Sequence, residues 1–380
     1  MTDNSAAFFA HTLASWFAAC GRDLPWRHSP TPYQVWVSEL MLQQTQVATV
    51  IPYYNKWMAQ FPTVESIAKA SLEAVNGLWA GLGYYRRARY LHQGASVVVD
   101  HYGGCFPSDI SELQKITGIG AYTAGAIASF AFGMDVPAID GNAERVISRY
   151  SGIYGDLSHG DPRRRIEDFA QHVVQIAGGA VINQAIMDLG ATICRKKADC
   201  DKCPLQAQCY AYRNGLVEAL PQKKAKSPKW LEYRSALLLE SSDHRYLVAM
   251  PKSDALLGNL WVFPMQTIFR EREDASDAKH RADASTRQSR KPLWQRMLSD
   301  LNPALTQVVP IPTELEIMHI FTHIRMHILV DIAKLTQPAQ LLECAGGTYE
   351  KYAWLTRDQI LTSPISTMMK KVVLRMPEIT

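Results

Sequence analysis

The first half of the chain carries apolar residues at a helical spacing. Between about residues 5 and 213, Ala, Leu, Ile, Val and Met recur three and four positions apart, as in LEAVNGLWAGL and AYTAGAIASFAFG. This spacing places apolar side chains on one face of a helix. Gly and Pro residues interrupt the pattern and mark the turns between helices. The pattern predicts an all-α domain over residues 1–213.

The pattern changes after residue 213. Residues 217–230 (VEALPQKKAKSPKW) are basic, contain proline and lack periodicity, so we predict a linker over 214–230. Beyond it, YRSALLLESSDHRYLVAM contains two strand-like runs around a polar turn at 241–244, and IRMHILVDIAKL predicts another strand. Residues 270–292 are charged, small and without aromatic residues, which predicts a flexible surface insertion. The second domain, 231–380, is therefore predicted to be α+β.

Composition sets limits on this picture. A length of 380 residues favours two domains, and an apolar content of 47% is typical of globular proteins. No run is apolar enough to span a bilayer, and the N-terminal stretch lacks the features of a secretion signal. The net charge is only +4, but basic residues cluster at 86–89, 163–165, 195–197 and 223–226. Each cluster is either a phosphate-binding surface or a solvated face.

The cysteines are distributed unevenly. Of seven, four crowd into the spacing C-x5-C-x2-C-x5-C: Cys194, Cys200, Cys203 and Cys209. Crowded cysteines in a chain without a secretion signal indicate a metal site rather than disulfides. Four thiolates suit either Zn²⁺ or a [4Fe–4S] cluster. One C-x2-C pair with single cysteines on each side favours the iron–sulfur cluster, which we predict, with zinc as the alternative.

Two further motifs precede these cysteines. Residues 111–133 predict two apolar helices joined by Thr117-Gly118-Ile119-Gly120. Gly118 and Gly120 permit a tight turn, and the free N–H groups at the start of the second helix suit a DNA phosphate. About twenty residues later, Asp140 precedes a helix. It is either the N-cap of that helix or a catalytic carboxylate whose other oxygen faces a cleft.

Taken in order, the helix–hairpin–helix, the aspartate and the cysteine cluster resemble the endonuclease III superfamily of DNA glycosylases. The resemblance covers about residues 8–213 and implies a six-helix barrel with an iron–sulfur subdomain. WVSELMLQQTQVATVIPYY (36–54) and LWAGLGYYRRARYLH (78–92) resemble signatures of the MutY family. Members of that family excise adenine mispaired with 8-oxoguanine. The sequence departs from the family at the first cysteine gap, which is usually six residues and is five here.

Adenine leaves poorly unless it is protonated, so the reaction needs an acid at the base and a carboxylate near the sugar. Glu39 lies in the apolar stretch VSELML, where burial would raise its pKa; the alternative is an exposed helix residue. The resemblance makes Glu39 the acid that protonates adenine N7 and later activates water. It makes Asp140 the carboxylate that stabilises or traps the sugar C1′, with Tyr122 and Asn142 in support.

Strand-cleaving members of the superfamily carry a lysine where this chain has Tyr122. No lysine occurs between Lys115 and Lys196, so the Schiff-base route lacks its amine. We therefore predict a monofunctional glycosylase.

The resemblance also assigns the residues that contact DNA, because the target base must leave the duplex to be reached. Gln44, beside Gln43, wedges into the gap, and Tyr84 intercalates next to 8-oxoguanine. The adenine pocket is lined by Trp26, Arg27, Leu42 and Gln184. A plain core role remains the alternative for Trp26 and Leu42, and for one of Tyr84 and Tyr85.

The second domain resembles the C-terminal domain of the same family, which has a Nudix-like fold. The 8-oxoguanine-reading loop of that domain corresponds to Phe321, Thr322 and His323, with threonine where serine is usual. The segment FREREDASDAKH lacks the glutamate spacing that holds Mg²⁺ in Nudix hydrolases, so we expect no pyrophosphatase activity.

The resemblance implies a cytoplasmic monomer at the bacterial nucleoid, with no membrane partner. Its partner is duplex DNA containing A:8-oxoguanine or A:G mispairs. Three alternatives remain: a pyrimidine-damage or thymine glycosylase, a non-catalytic lesion-binding module, and a nucleotide hydrolase.

Overall fold

The computed structural model describes residues 3–222, 228–252, 255–272, 290–302, 305, 307–339 and 349–376. The chain forms two compact units. The first comprises Met1–Leu78 and Arg86–Ala225, and the second comprises Trp79–Tyr85 and Lys226–Thr380. The division at 225/226 falls inside the predicted linker. The first part of that linker packs on the helical unit, because the Leu220 carbonyl accepts a 2.9 Å hydrogen bond from Arg149 Nε.

The helices of the first unit follow the predicted periodicity, and the all-α prediction for this part of the chain is confirmed. Their bounds are α1 Asp3–Cys20, α2 Pro32–Leu42, α3 Val47–Gln60, α4 Val64–Ala68, α5 Leu72–Trp79, α6 Arg86–Tyr102, α7 Ile110–Leu113, α8 Ala121–Phe130, α9 Gly141–Ser151, α10 Gly160–Ala177, α11 Gly179–Thr192 and α12 Tyr210–Arg213.

Helices α1, α9, α10 and α11 share one apolar core. Phe9 of α1 is fully buried and meets Tyr150 and Phe169 edge-on, with ring centroids 4.8 and 5.2 Å apart. Such edge-to-face pairs stabilise a core beyond the area they bury. This packing fixes α9, whose N-cap is Asp140, and α11, which carries Gln184.

Helix α2 begins at a well-defined cap. The Thr31 hydroxyl accepts from Gln34 N, the Gln34 side chain accepts from Thr31 N, and Pro32 occupies the first turn. This capping box satisfies two N–H groups that a helix start leaves free. From Val35 to Met41 every side chain is buried. A charged residue within this stretch, such as Glu39, is therefore buried as well.

The second unit contains a six-stranded mixed sheet within the described residues. Strands β1 (Trp230–Glu240) and β2 (Tyr246–Pro251) correspond to the two predicted strand-like runs and pair antiparallel, and β5 (Ile324–Lys334) is the predicted third strand. β1 runs parallel to β5, from Trp230 beside Ile324 to Glu240 beside Lys334. The order is β4-β5-β1-β2-β6, with β3 also paired to β1; the remaining bounds are β3 Met265–Arg272, β4 Ile311–Ile320 and β6 Tyr349–Leu355.

Helices cover both faces of this sheet. Alternate residues of β1 point to opposite faces. Leu238 joins a core with α15 (Thr367–Arg375), and Leu237 joins a core with α13 (Arg290–Leu301); α14 is Arg357–Thr362. Because sheet and helices pack in layers, this unit is α+β, as predicted.

The predicted insertion at 270–292 is shorter at both ends than we expected. Residues 270–272 pair with β1 at the end of β3. Arg290 begins α13, and its Nη1 donates a 2.8 Å hydrogen bond to the buried Asp331 carboxylate. We predicted these ends to be flexible because they are rich in charged residues. The structure pairs residues 270–272 with β1 and neutralises the charge of Arg290 with Asp331. The rest, 273–289, lies outside the described residues, as does most of the segment judged against the Nudix pattern.

No helix in the described ranges combines the length and apolarity needed to cross a membrane.

Candidate active site and cysteine pocket

The first unit contains a cavity of about 1160 Å³. All of the predicted catalytic and adenine-pocket residues line this cavity, although they come from several different helices and turns. The cavity wall includes Glu39, Tyr122, Asp140, Asn142, Trp26, Arg27, Leu42, Gln184, Gln43 and Gln44. The wall therefore gathers residues from positions 26 to 184 of the sequence.

Glu39 is 6% exposed and faces this cavity from α2. Burial is the main cause that raises the pKa of Glu39 to about 7. The charge of Asp140 adds to this rise, whereas the Tyr122 hydrogen bond and Arg27 make it smaller. The Tyr122 hydroxyl donates to Glu39 Oε2. The exposed alternative for Glu39 is therefore wrong, since the buried α2 helix leaves it no solvated face. A carboxyl group with a pKa near 7 can both donate and accept a proton at neutral pH.

Asp140 has the position that each of its two alternatives requires, because it caps a helix and also lines the cavity. Its Oδ1 accepts from the backbone N–H groups of Asn142 (3.0 Å) and Ala143 (2.7 Å) at the start of α9. Its Oδ2 accepts from the Asn142 amide at 2.7 Å. Burial raises the pKa of Asp140, while these hydrogen bonds oppose the rise. The carboxylate is thus held in one orientation in the cavity that Glu39 and Tyr122 also line.

Arg27 is held by a residue that the sequence analysis missed. Asp188, fully buried on α11, accepts from Arg27 Nη1 and Nη2 at 2.9 and 2.8 Å, and from Arg22 Nε at 2.8 Å. Burial alone would raise the pKa of Asp188, but hydrogen bonds from Arg27 and Arg22 hold it below its ordinary value. The signal in the sequence was a single acid in the apolar run AIMDLGA.

Trp26 combines the two alternatives considered for it. It is buried, packs edge-on against Tyr54 at 5.3 Å and still forms part of the cavity wall. Leu42 is half-buried at the end of α2 and also lines the cavity. For both residues, core packing and pocket lining are compatible.

The glycine turn has the predicted form. Gly120 caps α8, which begins at Ala121 as expected. Gly118 has φ +89°, and a Cβ there would lie 2.8 Å from Tyr90 Cβ. Gly118 and Gly120 are not among the residues that line the cavity.

The other predicted DNA contacts belong to the second unit. Tyr84 is 50% exposed, whereas Tyr85 is half-buried and donates a 2.8 Å hydrogen bond to the Ile365 carbonyl. Phe321, Thr322 and His323 form the turn between β4 and β5, with Thr322 and His323 exposed. On β5, the His327 ring bonds to the Glu316 carboxylate.

The four clustered cysteines line one small apolar pocket, together with Arg149. Burial, followed by the neighbouring thiols, raises the pKa of Cys203 to about 12. In the ranges that the structure describes, no three His, Cys, Asp or Glu side chains form a group arranged to hold a metal ion. The four thiols nevertheless share one pocket, and four cysteines are the donor set of an iron–sulfur cluster.

Two further cavity residues were not anticipated. Arg145, on α9, donates to Asn142 Oδ1 at 2.7 Å and to the Cys194 carbonyl at 2.7 Å. Its signal was its position one helical turn after Asn142. Lys196, in the cysteine loop, is exposed and lines the cavity. The segment between Lys115 and Lys196 contains no lysine, but Lys196 itself lines the cavity. An amine is therefore present at the cavity wall.

Comparisons with known proteins agree with this geometry. Residues 37–175 match the model of the HhH-GPD superfamily base excision DNA repair proteins. The adenine DNA glycosylase of Rattus norvegicus is 35% identical over 417 aligned residues, covering 96% of this chain and 77% of the relative. That of Buchnera aphidicola (strain Bp) is 38% identical over 61% of this chain and 69% of its own length.

A solved thermostable thymine-DNA glycosylase is 29% identical with a TM-score of 0.52, and it covers 56% of this chain and 99% of its own. The likeness to adenine DNA glycosylases extends instead over nearly the whole chain, including the second unit. The chain therefore belongs to the adenine DNA glycosylase family, within the helix–hairpin–helix superfamily of base excision DNA repair proteins.

Proposed function

We propose that this adenine DNA glycosylase is monofunctional and removes adenine opposite 8-oxoguanine, or opposite guanine, from duplex DNA. The observation that carries the proposal is the grouping of Glu39, Tyr122 and Asp140 on one cavity wall. This grouping supplies a proton donor and a fixed carboxylate, the two groups that glycosidic cleavage requires.

Glu39 protonates the adenine, which turns it into a neutral leaving group. Because its pKa is raised to about 7, a large fraction of Glu39 is protonated at neutral pH, and the same group can then accept a proton from the attacking water. Tyr122 holds Glu39 Oε2 in place. The reaction consumes one water molecule and gives free adenine and an abasic sugar.

Asp140 stabilises the positive charge that develops at the sugar C1′ as the bond breaks. Its Oδ1 is occupied by two backbone N–H groups, so Oδ2, bonded to the Asn142 amide, is the oxygen left for the sugar. A carboxylate held rigidly at the developing charge needs no reorganisation during the reaction. Arg27, Trp26, Leu42 and Gln184 line the space for the base.

Four cysteines around one pocket support a [4Fe–4S] cluster. Cys194, Cys200, Cys203 and Cys209 would hold it, and it would clamp a loop carrying Lys196, Lys197 and Lys202 for contact with DNA phosphates. All three lysines are exposed. We further propose that Phe321, Thr322 and His323 contact the 8-oxoguanine and that the protein works as a cytoplasmic monomer.

The decisive experiment measures base release from four duplexes that contain A:8-oxoguanine, A:G, A:T or T:G. We expect free adenine from the first two, fastest with 8-oxoguanine, and none from A:T. Release of thymine from T:G without release of adenine would favour a thymine glycosylase, the activity of the structural relative described above.

A second experiment tests monofunctionality, because Lys196 lines the cavity. Borohydride added during the reaction should trap no covalent protein–DNA complex, since Tyr122 replaces the lysine that would form the Schiff base. A trapped complex that disappears in Lys196→Gln would show a lyase activity and contradict the proposal.

A further inference from the structure

Arg87 is a buried cation at the end of the helix that carries Glu39. It lies on α6 and is 5% exposed. Its guanidinium donates to four acceptors at the C-terminal end of α2 and in the turn beyond: the carbonyls of Leu40 (2.7 Å), Met41 (2.9 Å) and Gln43 (2.6 Å), and the Thr45 hydroxyl (3.3 Å).

This arrangement meets a need of the helix end. The last carbonyls of a helix have no partner within the helix, and a cation there also complements the helix dipole. The planar fork of arginine can reach several acceptors at once, whereas lysine presents a single point charge. Arg87 therefore fixes the direction in which the chain leaves α2.

The segment fixed in this way contains Gln43 and Gln44. Gln44 has φ +58°, a left-handed conformation that residues other than glycine rarely adopt. Both glutamines are exposed and both line the cavity. A strained backbone persists only where the surrounding structure holds it. The Thr45 N–H bonds to the Leu42 carbonyl across the turn at 3.1 Å, and Arg87 adds bonds from a separate helix to residues on both sides of Gln44.

We propose that Arg87 is a positioning residue for base extrusion: it holds the Gln43–Thr45 turn rigid so that Gln44 can fill the space an extruded adenine leaves. This inference rests on the proposed function, and in particular on the wedge role of Gln44. Extruding a base costs unstacking energy, and a preformed wedge lowers that cost more than a flexible one.

The inference separates base extrusion from bond cleavage. The pKa of Glu39 is set by burial, Tyr122, Asp140 and Arg27, so removing Arg87 should leave the pH profile of excision in place. The defect should instead depend on how firmly the target adenine is stacked in its duplex.

The test measures single-turnover adenine release by Arg87→Met and Arg87→Lys on two duplexes. In one, the A:8-oxoguanine pair has paired neighbours; in the other, mismatches on both sides already unstack the adenine. With paired neighbours we expect Arg87→Met to lose on the order of 10- to 100-fold in rate, the scale of a misplaced group outside the chemistry, and Arg87→Lys to lose less. With unstacked neighbours most of the rate should return, and the pH profile should match wild type.

Two further variants make the test specific. Gln44→Ala should show the same dependence on the duplex, and adding Arg87→Met to it should cost little more, because both act in one step. Arg149→Met is the control for the loss of a buried arginine elsewhere in the unit. Arg149 is 4% exposed and also bonds to carbonyls, those of Arg195 (2.6 Å) and Leu220 (2.9 Å), at the cysteine pocket and away from the wedge. Its loss should be equal on both duplexes.

An equal loss on both duplexes for Arg87→Met, or for Arg87→Lys if the methionine variant does not fold, would overturn the inference. Failure of the wild-type protein to release adenine from either duplex would overturn the proposed function and this inference with it. The two failures are therefore distinguishable.

Discussion

Glu39 shows how a single side chain depends on its surroundings. In solution a glutamic acid has a pKa near 4.5, and burial on α2 raises it to about 7. Glu39→Gln keeps the shape but removes the proton donor. We expect single-turnover adenine release to fall by about 10²- to 10⁴-fold, the usual contribution of a general acid, while duplex binding persists. Glu73→Gln, at an exposed position on α5, is the control and should leave the rate unchanged; full activity in Glu39→Gln would refute the role of Glu39.

The pKa shifts predict a bell-shaped pH profile. Glu39 must be protonated to act as the acid, so the rate should fall as pH rises through about 7. Asp140 must be ionised, so the rate should also fall as pH drops through its pKa, which burial raises. In Tyr122→Phe the hydrogen bond that lowers the pKa of Glu39 is lost. The alkaline limb should therefore move to higher pH, and a limb that stays or moves down would contradict the assignment.

At the scale of elements, the two hairpin glycines are a matched pair for a stability test. Gly118→Ala would combine a φ of +89° with a Cβ 2.8 Å from Tyr90 Cβ. We expect a loss of about 1–3 kcal/mol in the free energy of unfolding. Gly120 has φ −89°, and a Cβ there would meet nothing within 4 Å. Gly120→Ala should cost less than about 1 kcal/mol. Urea denaturation measures both, and equal losses would mean that the turn does not need this backbone conformation.

The cysteine loop is the second element with a direct test. Purified protein should be brown and contain about four iron atoms and four sulfides per chain, as a [4Fe–4S] cluster requires. Cys203→Ala removes one of the four thiols that line the pocket and should lower both the metal content and the affinity for DNA. Colourless protein carrying zinc would overturn the cluster and leave the adenine glycosylase assignment unaffected.

At the scale of the whole molecule, the two units have separate tasks in the proposed function. The first holds the adenine cavity, and the second holds the Phe321–His323 turn. We expect Thr322→Val, which keeps the side-chain shape and loses the hydroxyl, to reduce the preference for A:8-oxoguanine over A:G. A lost hydrogen bond to a base costs about 1–3 kcal/mol in discrimination. Adenine release from A:G measures the basal rate, which should persist.

Thr322→Ser is the matched control, because serine keeps the hydroxyl and is the usual residue in the family. Its preference should equal that of the wild-type protein. Loss of preference in both variants would point to the shape of the turn rather than to the hydroxyl.

The sequence by itself determined the class of each unit and much of the site. Helical and strand periodicity arise locally, so the all-α and α+β assignments needed no tertiary information. The hairpin glycines, the four cysteines and Asp140 lie in short motifs whose spacing reflects a local constraint. The ten residues assigned to catalysis, the adenine pocket and the glutamine wedge came instead from the resemblance to a known family. The structure brings all ten to one cavity wall, and their proposed roles await the experiments above.

Only the tertiary structure decided what surrounds these residues. The pKa of Glu39 depends on burial and on Tyr122, 83 positions away in sequence. Asp188 binds Arg22 and Arg27 across more than 160 positions, and Arg87 fixes the glutamine turn from a separate helix. Lys196 lines the cavity, although the sequence analysis placed it only in a basic cluster within the cysteine loop. Desolvation and hydrogen bonding act through space, so no local pattern in the chain encodes them.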